Sequence, residues 1–178
     1  IFPNVLIGGL FISWVALFLG ISLFKKLLIL FFDYEKSLWA IVFLLSFPTS
    51  FFYSTVYPES LFLLVSAGSL YFLFKKNYLI AAIFATLASL TKIQGVFLFI
   101  PFFFPAFQVT ELSLVKALSQ IKRHAKKIFF VLSPFYGVLI YSTYLYTTYG
   151  DPFYFYHVQE SFGAEPTSKG IVLLPQVL

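Results

Sequence analysis

The chain has 178 residues, 60% of them hydrophobic and only 11% charged. A soluble domain is about 25% charged, so the composition predicts an integral membrane protein. The absence of Cys excludes disulfides and thiolate metal sites. The net charge of +5 comes from lysines flanking apolar runs, which argues against a nucleic-acid groove.

The apolar runs in chain order are Val5–Phe24, Leu38–Phe52, Ser60–Phe74, Tyr78–Thr91, Ile93–Phe107 and Ile128–Thr147. A bilayer-spanning helix takes about 20 residues. The first and last runs meet that length. The second and third meet it only by extending into the polar stretch Tyr53–Glu59. The fourth and fifth are short, and are expected either as two short helices meeting at an elbow or as a re-entrant pair. The fold class is therefore all-α, a polytopic helical membrane protein with about six hydrophobic segments. It reads as a single transmembrane domain over residues 1–178. A chain that starts at Ile1 with no Met and no signal-peptide pattern is expected to be a fragment of a larger multi-pass protein.

Charge sets the orientation. If Lys25, Lys26, Lys36, Lys75, Lys76 and the basic stretch Lys116–Lys127 are cytoplasmic, only Lys92 and Lys169 among the Lys and Arg residues lie outside. Glu59, Asp151, His157, Glu160 and Glu165 then also face outward. Gln108–Lys127 reads as an amphipathic helix with Leu114, Leu118, Ile121 and Ala125 on one face. Thr110 suits its cap, and its late lysines suit the negative end of the dipole. It is expected to lie on the inner membrane surface against anionic lipids. His124 sits among its lysines as a solvated residue. Tyr149–Leu178 opens with a turn-type sequence, Gly150-Asp151-Pro152, and continues into the interfacial aromatics Phe153–Tyr156.

Two polar islands interrupt the apolar chain, Phe47–Ser60 and Leu90–Gly95. Pro58 suits the first turn of a helix and puts Glu59 at its start. There a carboxylate is favoured by the helix dipole alone; the functional reading is that it pairs with Lys92 or holds a sugar hydroxyl. Ser54, Thr55, Tyr57 and Ser60 are hydroxyl donors around it, a set that suits polyol recognition. Lys92 is either a snorkelling lysine or a point charge for a lipid phosphate at the outer leaflet. Gly95, after Gln94, is expected to open the next helix, leaving free N–H groups for an anion and room for a close approach. Asp151, His157 and Gln159 form a loose polar cluster that could hold a phosphate or move a proton. No His-x-x-x-His, Gly-rich nucleotide loop or Ser nucleophile elbow occurs, so neither a metal nor a cofactor is expected.

At these islands the chain resembles a known family. Phe47-Pro48, Phe51-Phe52 and Ser54, followed by Tyr57-Pro58-Glu59-Ser60-Leu61-Phe62, look like the PIG-V type of GPI mannosyltransferase and its prokaryotic relatives. Leu87–Gly95 is similar to the family's Leu-Ala-x-Leu-Thr-Arg-x-x-Gly segment, with Lys92 where arginine is usual. Gly150-Asp151-Pro152 with His157-x-Gln159 resembles a segment of the bacterial members. The three motifs run in order over Phe47–Gln159, more than half the chain.

The resemblance implies a GT-C membrane glycosyltransferase, a mannosyltransferase that transfers a sugar from a polyprenyl- or dolichyl-phosphate donor on the extracytoplasmic side. It implies inversion at the anomeric carbon, an acidic residue as base, and a glycan or glycolipid acceptor. The family's acid lies in the first outer loop. Charge places Asp33 inside, so the catalytic role is assigned to no residue here, and the catalytic loop is expected upstream of Ile1. Substrate binding is expected from Tyr57, Glu59, Lys92, Gln94, Asp151, His157 and Gln159. Membrane lipids are the surrounding partners. A prokaryotic plasma membrane is the expected location, with the endoplasmic reticulum membrane as the alternative. A transporter or flippase, or a non-catalytic scaffold subunit, is the alternative function.

Overall fold

The computed structural model describes residues 5–107 and 125–158. Among the described residues every regular element is helical and there is no strand. Apolar runs of helical length with few internal breakers dictate that outcome. Helix α1 (Val5–Leu28) carries no proline and ends on Lys25 and Lys26, whose charge suits its negative end. Helix α2 (Tyr34–Ser46) starts where an Asp33 carboxylate oxygen accepts the Lys36 N–H at 2.9 Å. It stops at Phe47, which is extended as a residue before proline tends to be. A 3-10 helix, Pro48–Ser54, follows at 87° to α2.

Helix α3 (Glu59–Phe74) begins directly after Pro58. Its C-terminus is closed by Lys76 N–H on the Leu73 carbonyl and Asn77 N–H on the Phe72 carbonyl. Lys76 takes φ 61°, the left-handed position usually given to glycine. Asn77 then caps helix α4 (Tyr78–Thr91). Lys92 is extended and leads into a 3-10 helix, Ile93–Leu98, that continues as α5 (Phe99–Phe107). Helices α6 (Ala125–Val131), α7 (Ser133–Tyr149) and the short α8 (Tyr154–His157) complete the described chain.

The expectation that the second and third runs lengthen into the Tyr53–Glu59 stretch is not met. The Phe47-Pro48 step breaks α2, and Pro58 blocks any helix entering α3 from behind. The 3-10 helix ends at Ser54, and Thr55–Pro58 is an irregular link into α3. Residues 108–124 of the expected amphipathic helix, His124 included, lie outside the described residues.

The chain divides into two compact units, Ile1–Val138 and Leu139–Leu178. In the first, three contacts put α1 and α3 side by side in the same direction. Gly9 meets Val56, Gly20 meets the backbone of Leu64, and Phe31 packs edge-on against Phe74 at 4.7 Å. Helix α4 runs back against α3: the Ser69 hydroxyl donates to the Ala81 carbonyl at 3.1 Å, and Phe72 stacks on Phe84. Helix α5 turns back along α4, so that Phe102 is buried with Ala81, Ala82, Ala85, Leu73 and Val131.

These contacts sort the polar residues of this unit between two ends. Lys25, Lys26, Lys36, Lys75 and Lys76 share the end where α1 meets α2 and α3 meets α4. Glu59 and Lys92 sit at the opposite end.

Many of the buried residues of this bundle are small, beside the larger Leu27, Ile41, Val65, Leu73, Phe102 and Val131. Gly8, Ser13, Ala16, Gly20, Ser37, Ser60, Ala67, Ser69, Ala81, Ala82, Ala85, Ala88, Ser89 and Ser133 are buried, while Phe11, Trp14, Phe18, Trp39, Phe43 and Phe97 are exposed. Water-driven folding puts large apolar side chains inside. Small residues between helices, with large apolar ones outside, is the pattern of helices packed in lipid. Helix α1, at 24 residues, is long and apolar enough to cross a membrane; α2 with its bent 3-10 extension makes a second candidate if counted as one span.

Candidate functional site

The elbow after α4 is held by backbone contacts that only small residues allow. Gly95 lies against the backbone of Ala88 and Ser89, and Gly137 against Thr86, Ser89 and Leu90. A Cβ at either glycine would overlap those atoms. The Thr86 hydroxyl donates to the Ser133 carbonyl at 2.9 Å, and the Ser89 hydroxyl to the Thr86 carbonyl at 3.0 Å. Two backbone segments, the 3-10 helix at Gly95 and α7 at Ser133 and Gly137, thus converge on residues 86–90, one turn before Lys92. The chain reverses there with Lys92 extended, and Gly95 N–H closes the turn on the Lys92 carbonyl at 2.8 Å.

The Lys92 side chain reaches from this elbow to the start of α3. Its Nζ donates to Glu59 Oε1 at 2.7 Å, with 29% of the lysine and 26% of the glutamate side chain exposed. The same ammonium lies over the Phe62 ring, 5.9 Å from its centre. Glu59 Oε2 is buried and meets no donor among the described residues. The pairing expected from the sequence is therefore present, and it joins the two polar islands across 33 positions. Its chemistry is a cation with donors to spare beside a carboxylate oxygen still lacking one.

The hydroxyl groups around Glu59 have another use than the expected polyol contacts. Ser60, fully buried, donates to the Tyr53 carbonyl. Ser54 donates to the Phe51 carbonyl at 2.9 Å, and Thr55 shares the Phe51 and Phe52 carbonyls at 3.3 Å. A 3-10 turn leaves carbonyls without helical partners, and hydroxyls three and four residues on are placed to satisfy them. Trp14 adds its indole N–H to the Ser54 carbonyl at 3.0 Å, tying α1 to the turn. Sequence reasoning missed that role; a lone Trp inside an apolar run with a distant polar island was the available signal. Tyr57 is exposed and packs edge-on against Phe52 at 5.1 Å. Gln94 is exposed on the 3-10 turn beyond Lys92.

Gly95 meets the expected close approach, here by a backbone, but not the expected helix start. It does not open an α-helix with free N–H groups: it lies inside the 3-10 turn, and α5 begins at Phe99. The space left by its missing side chain is filled by the α4 backbone. An anion beside Lys92 would therefore not meet the N-terminus of α5, which begins at Phe99.

Asp151 and His157 belong to the second unit. His157 Nδ1 lies 2.6 Å from Asp151 Oδ2, and Phe153 N–H donates to Asp151 Oδ1 at 2.9 Å. The turn leading in is made possible by Gly150 at φ 74°. His157 beside the carboxylate, then the Phe153 N–H, holds Asp151 below the ordinary carboxylate range. The carboxylate fixes which imidazole nitrogen faces it and leaves Nε2 for another partner. Tyr149 and Tyr154 stack at 4.4 Å around the same turn. Gln159, expected with this cluster, lies outside the described residues.

The chain matches no family model, no curated protein and no solved structure.

Proposed function

We propose that this chain is part of a multi-pass glycosyltransferase of the GT-C class in a prokaryotic plasma membrane. In this reading it is a mannosyltransferase that takes its sugar from a polyprenyl-phosphate donor on the extracytoplasmic side. The observation that carries the proposal is the Glu59–Lys92 pair. Two islands that resemble PIG-V-type motifs separately are joined at 2.7 Å, at the end of the bundle opposite Lys25, Lys26, Lys36, Lys75 and Lys76. The many small buried residues and large apolar exterior support the multi-pass part of the reading, and the lysine-rich end supports its orientation.

In this reading Lys92 binds the donor phosphate as a point charge, and a hydrophobic bundle end admits the polyprenyl chain. Ion-pairing with Glu59 keeps the ammonium at the elbow in the absence of donor. The broken helices also suit a transporter. A transporter, however, places its polar groups near mid-helix, and the pair sits at the bundle's end.

The test is transfer from labelled polyprenyl-phosphate-mannose in membranes carrying the natural full-length protein. The expected result is transfer by the wild type, with Lys92→Ala and Glu59→Gln each lowering turnover by tenfold or more, an effect on the order of 1.4 kcal/mol. Unchanged donor binding and turnover in both variants would remove the site. Lipid movement without sugar transfer would replace the function.

A further inference from the structure

Glu59 and Lys92 touch, and that contact limits what Glu59 can do. In an inverting displacement the acceptor oxygen attacks the anomeric carbon from the face opposite the departing phosphate. A carboxylate in contact with the phosphate-binding lysine stands on the phosphate side, where the attacking hydroxyl does not pass. Glu59 is thus misplaced for a general base while being close to the donor itself.

The chemistry of a sugar 1-phosphate says what it meets there. The phosphorylated carbon of a pyranose has two ring neighbours. One is the ring oxygen, which has no proton to give; the other is C2, which carries a hydroxyl. The C2 hydroxyl is therefore the sugar donor group nearest the phosphate. Lys92 has three N–H groups, one directed to Glu59 Oε1 at 2.7 Å, leaving two for phosphate oxygens. Glu59 has a carboxylate oxygen, Oε2, buried without a donor. The two oxygens of a carboxylate exchange by rotation about the terminal bond, so either can keep the lysine while the other takes a hydroxyl. The neighbouring Ser54, Thr55 and Ser60 hydroxyls are committed to backbone carbonyls and do not compete for it.

Resting on the donor reading above, we infer that Glu59 is the specificity-determining residue for the donor sugar, accepting a hydrogen bond from its C2 hydroxyl while Lys92 holds the adjacent phosphate. The site then reads phosphate and C2 hydroxyl as one unit. A donor without that hydroxyl leaves the carboxylate oxygen unsatisfied, the situation in which binding sites discriminate most strongly.

The experiment measures binding of polyprenyl-phosphate-mannose and of its 2-deoxy analogue to the natural full-length protein in its membranes, for wild type, Glu59→Ala and Glu59→Gln. Wild type is expected to prefer mannose by about a hundredfold or more. Glu59→Ala is expected to reduce the preference to under about tenfold, and Glu59→Gln, which keeps an acceptor without the charge, to leave an intermediate value. Glu59→Gln also keeps size and shape, so it carries the test if the alanine variant does not fold. Wild type that binds the mannose donor with the same preference as both variants overturns the inference and leaves the donor reading standing. Wild type that binds neither donor overturns the donor reading, and the inference with it.

Discussion

Two of the acid–base pairs among the described residues, Glu59–Lys92 and Asp151–His157, have similar length and opposite construction. Glu59–Lys92 joins residues from two helices, with both side chains about three-quarters covered. Asp151–His157 closes a seven-residue turn on itself, with the histidine 58% exposed. The first exists only because the bundle packs: small residues at 86–95 and 137 let backbones touch and aim Lys92. The second needs little beyond local chain geometry, a glycine at positive φ and an Asp that accepts a backbone N–H. A pair that depends on tertiary packing reports on the fold and is sensitive to it. A pair made by local sequence does neither.

The largest effect that could break this contrast comes from Gly95. Gly95→Ala drives a methyl group into the Ala88–Ser89 backbone and is expected to cost about 3 kcal/mol, measured by thermal unfolding in detergent. If stability is unchanged, the elbow is not held as described. Lys92→Ala comes next. It leaves Glu59 largely covered without its cation, and is expected to cost about 1–3 kcal/mol, below a fully buried pair because about a quarter of each side chain is exposed. Glu59→Leu combined with Lys92→Met should recover most of that loss while abolishing donor binding, which separates stability from function.

The smallest effects belong to the turn. Asp151→Asn is expected to speed amide exchange at Phe153 with little change in overall melting. Acid should act in the same way. The Asp151 carboxyl is held below its ordinary value of 3.8, so its contribution is complete above that pH and fades as pH falls through the lower folded value. A loss of the turn at neutral pH would contradict that sign.

Much of this contrast was legible in the residues. Pro58 and the run after it mark the start of α3, and Asn77 and Thr91 bound α4 as the run does. The pairing of Glu59 with Lys92 follows from two costly charges on one side of an apolar chain. The 87° break after α2 was missed because run length ignores the restriction that Pro48 places on Phe47. Which backbone Gly95, Gly137 and Trp14 meet was not readable. That is a property of tertiary packing. The hydroxyls of Ser54, Thr55 and Ser60 were misjudged for a local reason: a 3-10 turn presents carbonyls that short hydroxyl side chains satisfy first.

The central claim is that the donor phosphate sits at the Glu59–Lys92 end of the bundle. The most direct measurement is photo-crosslinking with a polyprenyl phosphate bearing a photoreactive group near its phosphate, followed by mapping of the labelled peptides. Label is expected on residues 51–62 and 87–97, suppressed by excess polyprenyl-phosphate-mannose and lost in Lys92→Ala. Label confined to the lysine-rich end around residues 25–36 and 75–78, unchanged in Lys92→Ala, would contradict it.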